Sequence, residues 1–421
     1  MKRPLVPSML LLLLIGWAHT EMSWDGDAIW FLQMGEFSPA WAYDRYLHWS
    51  SRFMIELPYV LFLKYLGLWT WRIMDTCVMW LCCRLLVYFA CPQHRQAFGM
   101  WCMLPVAGLF PLFILRTAGW SATMVNYLWP GTALLVALIP WKRLWHGEHV
   151  PTWMQVLSFL SLLVALDVEQ TWMIFFGLWW MAIWQMHKVP SARWLLFIQG
   201  ALLFLFGAII FLCPGNVLRK EAAIYGCWPD FLSASLLDKM VLSLNNMGRF
   251  FLSHELLMLL FTAVLAVMVV QRCHGMLERI VGCLPFALKM GTMLFALHRS
   301  WGILWERKPQ TMFDFFELFG LPQRQIVTPL TASHVSAYLP MGESLLFFVS
   351  IGLAIYLIFG HTRKSCRVVF LYLLGCASSF SLALSPTLFA SSYRIFFFQY
   401  LALIVILLVC LSEWREQRRG W

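Results

Sequence analysis

The chain has 421 residues, of which 61% are hydrophobic and only 12% are charged, and it carries a net charge of +10. Soluble globular proteins contain about 45–50% apolar and about 25% charged residues. A mean hydropathy of +0.70 means more apolar surface than a water-soluble fold can bury. The composition also excludes a disordered chain, a disulfide-rich scaffold and a coiled coil. A polytopic integral membrane protein remains, and the positive charge must be placed along the chain before it is interpreted.

Twelve apolar stretches of membrane-spanning length can be counted along the sequence, bounded by charged residues, Gly or Pro. We predict spans at 4–20, 73–91, 98–115, 127–140, 153–166, 171–186, 194–213, 251–271, 280–297, 343–360, 368–384 and 395–412. The first stretch has a basic start like that of a signal peptide, and we interpret it as a retained helix. The sequence therefore predicts an all-α fold with about 12 transmembrane helices, and a single transmembrane domain over 1–421.

The segment 53–66 is ambiguous, because it is apolar but short and contains Glu56, Pro58 and Lys64. Counted as a span, it would give thirteen helices and place the two termini on opposite sides of the membrane. We interpret it instead as an interfacial or re-entrant helix, which leaves both termini in the cytoplasm. The distribution of charge is the basis for this choice.

Basic residues are concentrated in one set of connectors, as the positive-inside rule requires of cytoplasmic loops. The predicted cytoplasmic pieces sum to 52 residues with 15 Lys/Arg and 4 Asp/Glu, at 1–3, 92–97, 141–152, 187–193, 272–279, 361–367 and 413–421. The predicted outer pieces sum to 159 residues with 14 Lys/Arg and 14 Asp/Glu, at 21–72, 116–126, 167–170, 214–250, 298–342 and 385–394. Basic density is about threefold higher inside. The net charge therefore reflects topology and gives no support to a nucleic-acid partner.

Three outer loops are large enough to carry chemistry, at 21–72, 214–250 and 298–342. We expect interfacial helices in the first loop. In the third, the aromatic and acidic run Phe313–Phe319 suits an interfacial helix that is either a structural cover or a substrate lid. The cytoplasmic connectors are short and contain no nucleotide-binding motif. We therefore expect the substrate at the outer face or within the membrane, without ATP or a cytosolic sugar nucleotide.

The strongest local feature follows the first predicted helix and reads Ser23-Trp24-Asp25-Gly26-Asp27-Ala28-Ile29-Trp30-Phe31. A carboxylate at the membrane edge is costly to desolvate, so it is usually paired, solvated or functional. Asp27 is the first candidate for a catalytic carboxylate and Asp25 the second, with a solvated or helix-capping acid as the alternative. Trp30 belongs either to an ordinary aromatic belt or to a surface that stacks on a sugar ring.

Further motifs stand at the outer ends of predicted spans: Asp44–Arg52, which ends in an aromatic-x-x-Arg element, Asn126–Pro130, Asp167–Gln170, Pro214–Arg219 and Ser392–Arg394. With the acid after the first helix, this architecture resembles the GT-C class, polytopic glycosyltransferases that use polyprenyl-phosphate sugars. The closer likeness is to bacterial multi-spanning families with a Gly-Asp-Asp-aromatic start, including O-antigen-modifying glucosyltransferases. The chain departs from that start, because Gly26-Asp27-Ala28 keeps one acid of the pair.

The resemblance implies transfer of a sugar from a polyprenyl-phosphate carrier to a cell-surface glycan or lipid-linked acceptor, on the outer side of a bacterial inner membrane. Asp27 would be the general base, assisted by Asp25. Substrate contacts are expected from charged side chains at outer helix ends, with the arginines stabilising the leaving phosphate: Arg52, Asp167, Glu169, Arg219 and Arg394. No cofactor and no metal site is predicted, although a divalent ion joining the two acids of the first loop stays open.

Two other readings of the sequence stay open. An O-antigen polymerase or ligase would also be a membrane enzyme with large outer loops, but we would expect one dominant loop rich in arginine. A transporter or flippase for a lipid-linked glycan would need ionisable groups near mid-membrane and pseudo-symmetric halves. Lys289 is the one candidate for such a group. A scaffold with degenerate chemistry is also possible, given Ala28 beside Asp27.

Overall fold

The computed structural model describes residues 5–186, 189–252, 255–303, 335–388 and 390–417. The chain splits into two compact units. The first unit comprises Met1–Pro105 and Leu112–Ala222, and the second comprises Val106–Pro111 and Ala223–Trp421. The predicted cover Phe313–Phe319 lies outside the described residues, and the single transmembrane domain stays a prediction.

The described residues form an all-helical structure without β-strands, which confirms the predicted fold class at this level. In chain order the α-helices are Leu5–Thr20, Asp27–Met34, Pro39–His48, Phe53–Leu61, Gly67–Ala90, Gln96–Leu109, Trp120–Thr123, Trp129–Ala137, Ile139–Trp145, Thr152–Leu166, Glu169–Met186, Pro190–Phe211, Pro214–Cys227, Leu236–Leu252, Leu256–Arg272, Met276–Ile303, Val335–Phe359, Arg363–Phe380 and Phe397–Gln417. Short 3-10 or π turns occupy Phe62–Leu66, Gln93–Arg95, Leu112–Arg116, Met124–Leu128, Pro229–Phe231, Ser381–Leu384 and Ser392–Phe396.

Each of the twelve predicted spans overlaps one of these helices. Six helical segments are long and apolar enough to cross a membrane: Phe53–Ala90, Trp120–Trp145, Ala192–Phe211, Met341–Phe359, Arg363–Leu384 and Tyr393–Glu416. Two shorter apolar helices, Leu5–Thr20 and Thr152–Leu166, fall below that length. The chain is thus a helical protein with six candidate membrane spans among its described residues, and the total of twelve stays a prediction.

The ambiguous segment 53–66, which we predict to be an interfacial or re-entrant helix, forms the helix Phe53–Leu61 and the π turn Phe62–Leu66. It continues into the helix that follows, so that Phe53–Ala90 forms one candidate span of 38 residues. A π turn at Phe62–Leu66 and the positive φ of Gly67, 76°, mark the join between its two parts. At 1.5 Å per residue a helix of this length exceeds the roughly 30 Å hydrocarbon layer. Part of it must therefore lie outside that layer.

Large apolar side chains remain exposed on the candidate spans and on other helices. Leu13, Trp184 and Phe211 are 66%, 71% and 70% exposed, respectively. Soluble monomers rarely expose extended apolar surface, whereas hydrocarbon tails solvate it without cost. The exposure pattern therefore agrees with the composition in indicating a membrane protein.

In the first unit, aromatic rings pack around Trp71, whose side chain is fully buried. Trp129 stacks on it with ring centroids 5.1 Å apart, and Tyr59 meets it edge-on at 5.4 Å. One turn after Trp71, Asp75 accepts a hydrogen bond from Trp129 Nε1 at 2.7 Å and lies 3.0 Å from His19 Nε2. These contacts fix the helix Trp129–Ala137 and the polar segment before it.

In the second unit, Lys289 is fully buried and donates a hydrogen bond to the Phe251 carbonyl oxygen at 3.0 Å. The Tyr400 hydroxyl donates to Glu255 Oε2 at 3.1 Å. Lys289, the candidate from the sequence for an ionisable group near mid-membrane, thus has a partner in the backbone. Arg394 is half-buried in the 3-10 turn Ser392–Phe396 of the same unit.

Candidate functional site

The centre of the candidate site is Glu169, whose carboxylate accepts hydrogen bonds from two arginines. Arg52 donates through Nε at 3.1 Å and Nη2 at 2.7 Å to the same oxygen, Oε2. Arg219 Nη2 donates to Oε1 at 2.9 Å. The three side chains are 24%, 33% and 28% exposed for Arg52, Glu169 and Arg219, so the cluster is half-buried but open to solvent. Three side chains from separate predicted motifs therefore meet at one point of the first unit.

Helix ends bring these side chains together. Arg52 immediately precedes the helix Phe53–Leu61, Glu169 begins its own helix, and Arg219 lies early in Pro214–Cys227. The helix Pro214–Cys227 packs closely, through Gly215, against the chain just before Arg52. A Cβ atom on Gly215 would lie 2.3 Å from the Trp49 nitrogen. Glycine is therefore required at position 215 of the Pro-Gly-Asn sequence, since any side chain there would clash with backbone.

Asn126 is a fourth member of the cluster. Its Oδ1 accepts a hydrogen bond from Arg52 Nη1 at 2.7 Å, and its Nδ2 donates to the Ala122 carbonyl at 2.8 Å. It lies in the π turn Met124–Leu128, a local helix irregularity that often occurs at functional sites. The sequence pattern places Asn126 at an outer helix end, but does not predict that it binds Arg52.

Charge is unbalanced in this cluster, because two guanidinium groups face one carboxylate. Burial raises the pKa of Glu169, but Arg52 and Arg219 more than offset this effect and lower the pKa from 4.5 to about 2. Burial also disfavours the charge on Arg52, but Glu169 beside it more than compensates, so the pKa of Arg52 is raised. Glu169 is thus ionised at neutral pH, and its single negative charge is shared by two guanidinium groups.

Asp167 lies two residues before Glu169 in a very different environment. It is 1% exposed, and its Oδ2 accepts a hydrogen bond from the Ile55 amide at 3.1 Å. That amide is in the first turn of Phe53–Leu61, so Asp167 caps this helix from another part of the chain. Burial raises the pKa of Asp167 well above its ordinary value. The pKa values of the two acids in the Asp-Val-Glu motif are thus shifted in opposite directions.

Asp25 holds the segment that leads to Asn126. Its Oδ1 accepts a hydrogen bond from the Trp120 amide at 3.0 Å, and its Oδ2 lies 3.7 Å from Arg116 Nε. The approach depends on Gly119, which has a φ of +90° and where a Cβ would lie 2.2 Å from the Asp25 carbonyl oxygen. Asp25 therefore has structural partners on this loop, whatever further role it has.

Asp27 is exposed at the start of the helix Asp27–Met34, where a carboxylate is favoured by the helix dipole. Its backbone nitrogen donates to the Ala118 carbonyl at 2.9 Å. Six residues separate Trp120, which binds Asp25, from Asn126, which binds Arg52, a helical rise on the order of 9 Å. One short segment thus joins the two acids of the first loop to the arginine cluster.

Trp30 contacts a buried ion pair that the sequence did not predict. The Arg45 guanidinium lies 4.8 Å from the Trp30 ring centroid and binds Glu56 through two hydrogen bonds of 2.8 and 3.0 Å. Trp41 and Trp49 also lie within 6 Å of this guanidinium. The tryptophans stand four residues before and after Arg45, a helical spacing that would have been the signal for such a cage. Trp30 itself is 42% exposed, so its outer face is accessible.

Six of the eight predicted catalytic and substrate-binding residues thus lie in two polar groups of the first unit that one segment connects: Asp25, Asp27, Arg52, Asp167, Glu169 and Arg219. Trp30 belongs to the neighbouring aromatic cage, and Arg394 lies in the second unit. Among the described residues, no group of three or more His, Cys, Asp or Glu side chains has the spacing of a metal site. The arginine cluster is therefore suited to binding an anion at an accessible position. Comparison of the chain with protein-family models, with curated proteins and with solved structures finds no match.

Proposed function

We propose that the protein is a membrane glycosyltransferase that moves a sugar from a polyprenyl-phosphate carrier to a surface glycan or lipid-linked acceptor. The observation that carries the proposal is the half-buried cluster in which Arg52 and Arg219 share the single carboxylate of Glu169. Guanidinium groups bind phosphate oxygens through paired hydrogen bonds. An incoming phosphate would complete the charge balance that Glu169 leaves incomplete.

The reaction needs few protein groups besides this anion site. An acceptor hydroxyl attacks the anomeric carbon while the bond from that carbon to the phosphate oxygen breaks. Positive charge develops on the sugar ring and negative charge on the departing lipid phosphate. Phosphate leaves without being protonated, so arginines that stabilise its charge lower the barrier directly.

Asp27 is proposed as the general base that takes the proton of the acceptor hydroxyl. It is exposed, and its helix start is fixed by the contact of its backbone nitrogen with Ala118. A carboxylate accessible to substrate is suited to orienting and deprotonating a hydroxyl. Asp25 is proposed to assist by holding the segment that runs to Asn126.

The proposed setting is a bacterial inner membrane, with the site at the outer face and both termini in the cytoplasm. The support for this orientation is the excess of Lys and Arg in the predicted cytoplasmic connectors. Residues 167–170 and the loop 21–72, which contains Arg52, both belong to the opposite set of connectors. Twelve spans are proposed on the same basis.

A transporter of lipid-linked glycans is a second candidate, and one observation favours it. Ionisable groups lie fully buried in both units, namely the Asp75–His19 pair in the first and Lys289 in the second. Buried ionisable groups in membrane proteins often mark ion or substrate pathways. Sealed vesicles containing the purified protein separate the two functions, because a transporter accumulates labelled polyprenyl-phosphate sugar without cleaving it.

The test in cells is Asp27→Asn in a strain whose surface polysaccharide can be profiled. The variant keeps the size of the side chain but cannot act as a base at neutral pH, so the sugar that the protein adds should be lost from the glycan. Glu36→Gln, a change of another acid in the first loop, serves as the matched control and should leave the glycan unchanged. An unchanged glycan from a normally expressed Asp27→Asn variant would contradict the assignment of the base.

A further inference from the structure

Two buried oxygen atoms beside the arginine cluster have no hydrogen-bond partner among the described residues. They are Asp167 Oδ1 and Asn216 Oδ1. Buried polar atoms are nearly always paired, because leaving one unpaired costs about 1–3 kcal/mol. Two such atoms on side chains that contact the same short stretch, 51–55, therefore indicate a group that the protein itself does not supply.

Both side chains are held against the short stretch that carries Arg52, each through its other polar atom. The other oxygen of Asp167, Oδ2, accepts a hydrogen bond from the Ile55 amide at 3.1 Å. The amide nitrogen of Asn216, Nδ2, donates a hydrogen bond to Ser51 Oγ at 3.2 Å. Asn216 also precedes Arg219 by three residues on one helix, a spacing at which side chains are neighbours. The side chains that carry the unpaired oxygens are thus anchored next to Arg52 in the chain, and one of them precedes Arg219 by a single helical turn.

The chemistry of these atoms selects a hydroxyl-rich ligand. An amide oxygen and a carboxyl oxygen do not attract an anion, and the adjacent guanidinium groups disfavour a metal cation. A sugar hydroxyl can donate to the Asn216 oxygen. It can also donate to Asp167 or accept from it, so it satisfies this side chain in either protonation state.

We propose that Asp167 and Asn216 form a subsite for the hydroxyl groups of the donor sugar, next to the anion site of Arg52 and Arg219. This inference rests on the proposed function and adds to it a separation of roles. The arginines hold the lipid phosphate whatever sugar it carries, whereas the two oxygens distinguish a sugar-bearing lipid from a bare one.

The test measures binding of three lipids to the full-length protein in nanodiscs: undecaprenyl phosphate, undecaprenyl-phosphate-glucose and undecaprenyl-phosphate-mannose. For the wild type we expect at least one sugar lipid to bind about tenfold more tightly than undecaprenyl phosphate, as one or two added hydrogen bonds allow. Asp167→Ser keeps an oxygen that can cap the Ile55 amide and removes Oδ1. Asn216→Ala removes the other unpaired oxygen.

Each variant should lose most of the preference for the sugar lipid while its affinity for undecaprenyl phosphate stays within about twofold. Binding of the bare lipid thus serves as the internal control for folding. Asp44→Ser, an exposed aspartate whose side chain is 67% accessible, is the matched substitution and should leave the preference intact.

The outcomes separate the two proposals. A preference that survives both substitutions overturns the subsite, as does equal loss of all lipids in both variants, since the oxygens would then serve the fold. A wild type that binds undecaprenyl phosphate without any sugar preference overturns the subsite and leaves the anion site standing. A wild type that binds none of the three lipids overturns both.

Discussion

Glu169→Gln tests the charge balance of the arginine cluster. The substitution keeps the shape of the side chain and one oxygen acceptor, but it removes the negative charge. Arg52 contacts this carboxylate at 2.7 and 3.1 Å, and Arg219 contacts it at 2.9 Å. Two guanidinium groups would then face each other without a counter-charge. We expect the folded protein to lose stability and the cluster to bind added anions more tightly.

The magnitude can be estimated from the pKa of Glu169. Lowering this pKa from 4.5 to about 2 corresponds to at most about 3 kcal/mol, at 1.36 kcal/mol per pKa unit. A third of the side chain is exposed, so solvent screening reduces the contribution to about 1–2 kcal/mol. Because the pKa is lowered by folding, the contribution is fully present above pH 4.5 and is lost as the pH falls towards 2.

The assay is the unfolding of wild type and Glu169→Gln in detergent micelles, followed by tryptophan fluorescence at a series of pH values. The free energies of unfolding should differ by about 1–2 kcal/mol at pH 7, and the difference should shrink between pH 4.5 and pH 3. Glu148→Gln is the matched control, because Glu148 pairs with a single arginine and is 55% exposed. It should change stability by less than about 0.5 kcal/mol. A difference for Glu169→Gln that is absent at pH 7, or that stays constant down to pH 3, would refute the reasoning.

Three other experiments test contacts away from Glu169. Asp75→Leu and His19→Leu should each destabilise by about 1–3 kcal/mol, because each leaves a buried polar partner without its hydrogen bond, and the double variant by less than their sum, measured as a thermodynamic cycle. Gly119→Ala should lower both stability, measured by thermal unfolding, and activity, measured as turnover. The control Gly226→Ala should lower neither, because there is open space around the added Cβ. Arg45→Lys should cost about 1–3 kcal/mol in unfolding experiments, because lysine cannot form the two-bond pair with Glu56; a neutral result would contradict the caged ion pair.

The sequence predicts the all-helical fold class because the length of an apolar stretch is a local property, and six of the helical segments reach membrane-spanning length. It also places Arg52, Glu169 and Arg219 in the same class of position, at outer helix ends. That they touch could not be predicted, since 117 residues separate Arg52 from Glu169 and 50 separate Glu169 from Arg219. Convergence of this kind depends on helix packing, which one sequence does not encode in any short pattern.

The buried His19–Asp75 pair and the Arg45 cage were missed for two different reasons. His19 and Asp75 are 56 residues apart, and each looks like an isolated polar residue near a helix end. The cage does have a local signal, the spacing of Trp41, Arg45 and Trp49, but tryptophans at a membrane edge are usually read as an interfacial belt. Whether the 53–66 segment lies at the interface or within the membrane stays a prediction, because a π turn joins it to the helix Gly67–Ala90 and the joined segment is longer than the hydrocarbon layer.

The most direct test of the proposed function is the release of undecaprenyl phosphate by the purified protein, because this product is common to every donor sugar. The protein is incubated with a panel of undecaprenyl-phosphate sugars and a glycan acceptor, and the released lipid phosphate is quantified over time. We expect the wild type to release undecaprenyl phosphate. In Asp27→Asn the rate of release should fall at least about a hundredfold, as expected for loss of a general base. In Arg219→Gln the rate should fall by a similar factor. Equal release by all three proteins, or no release with any donor of the panel, would contradict the proposed function.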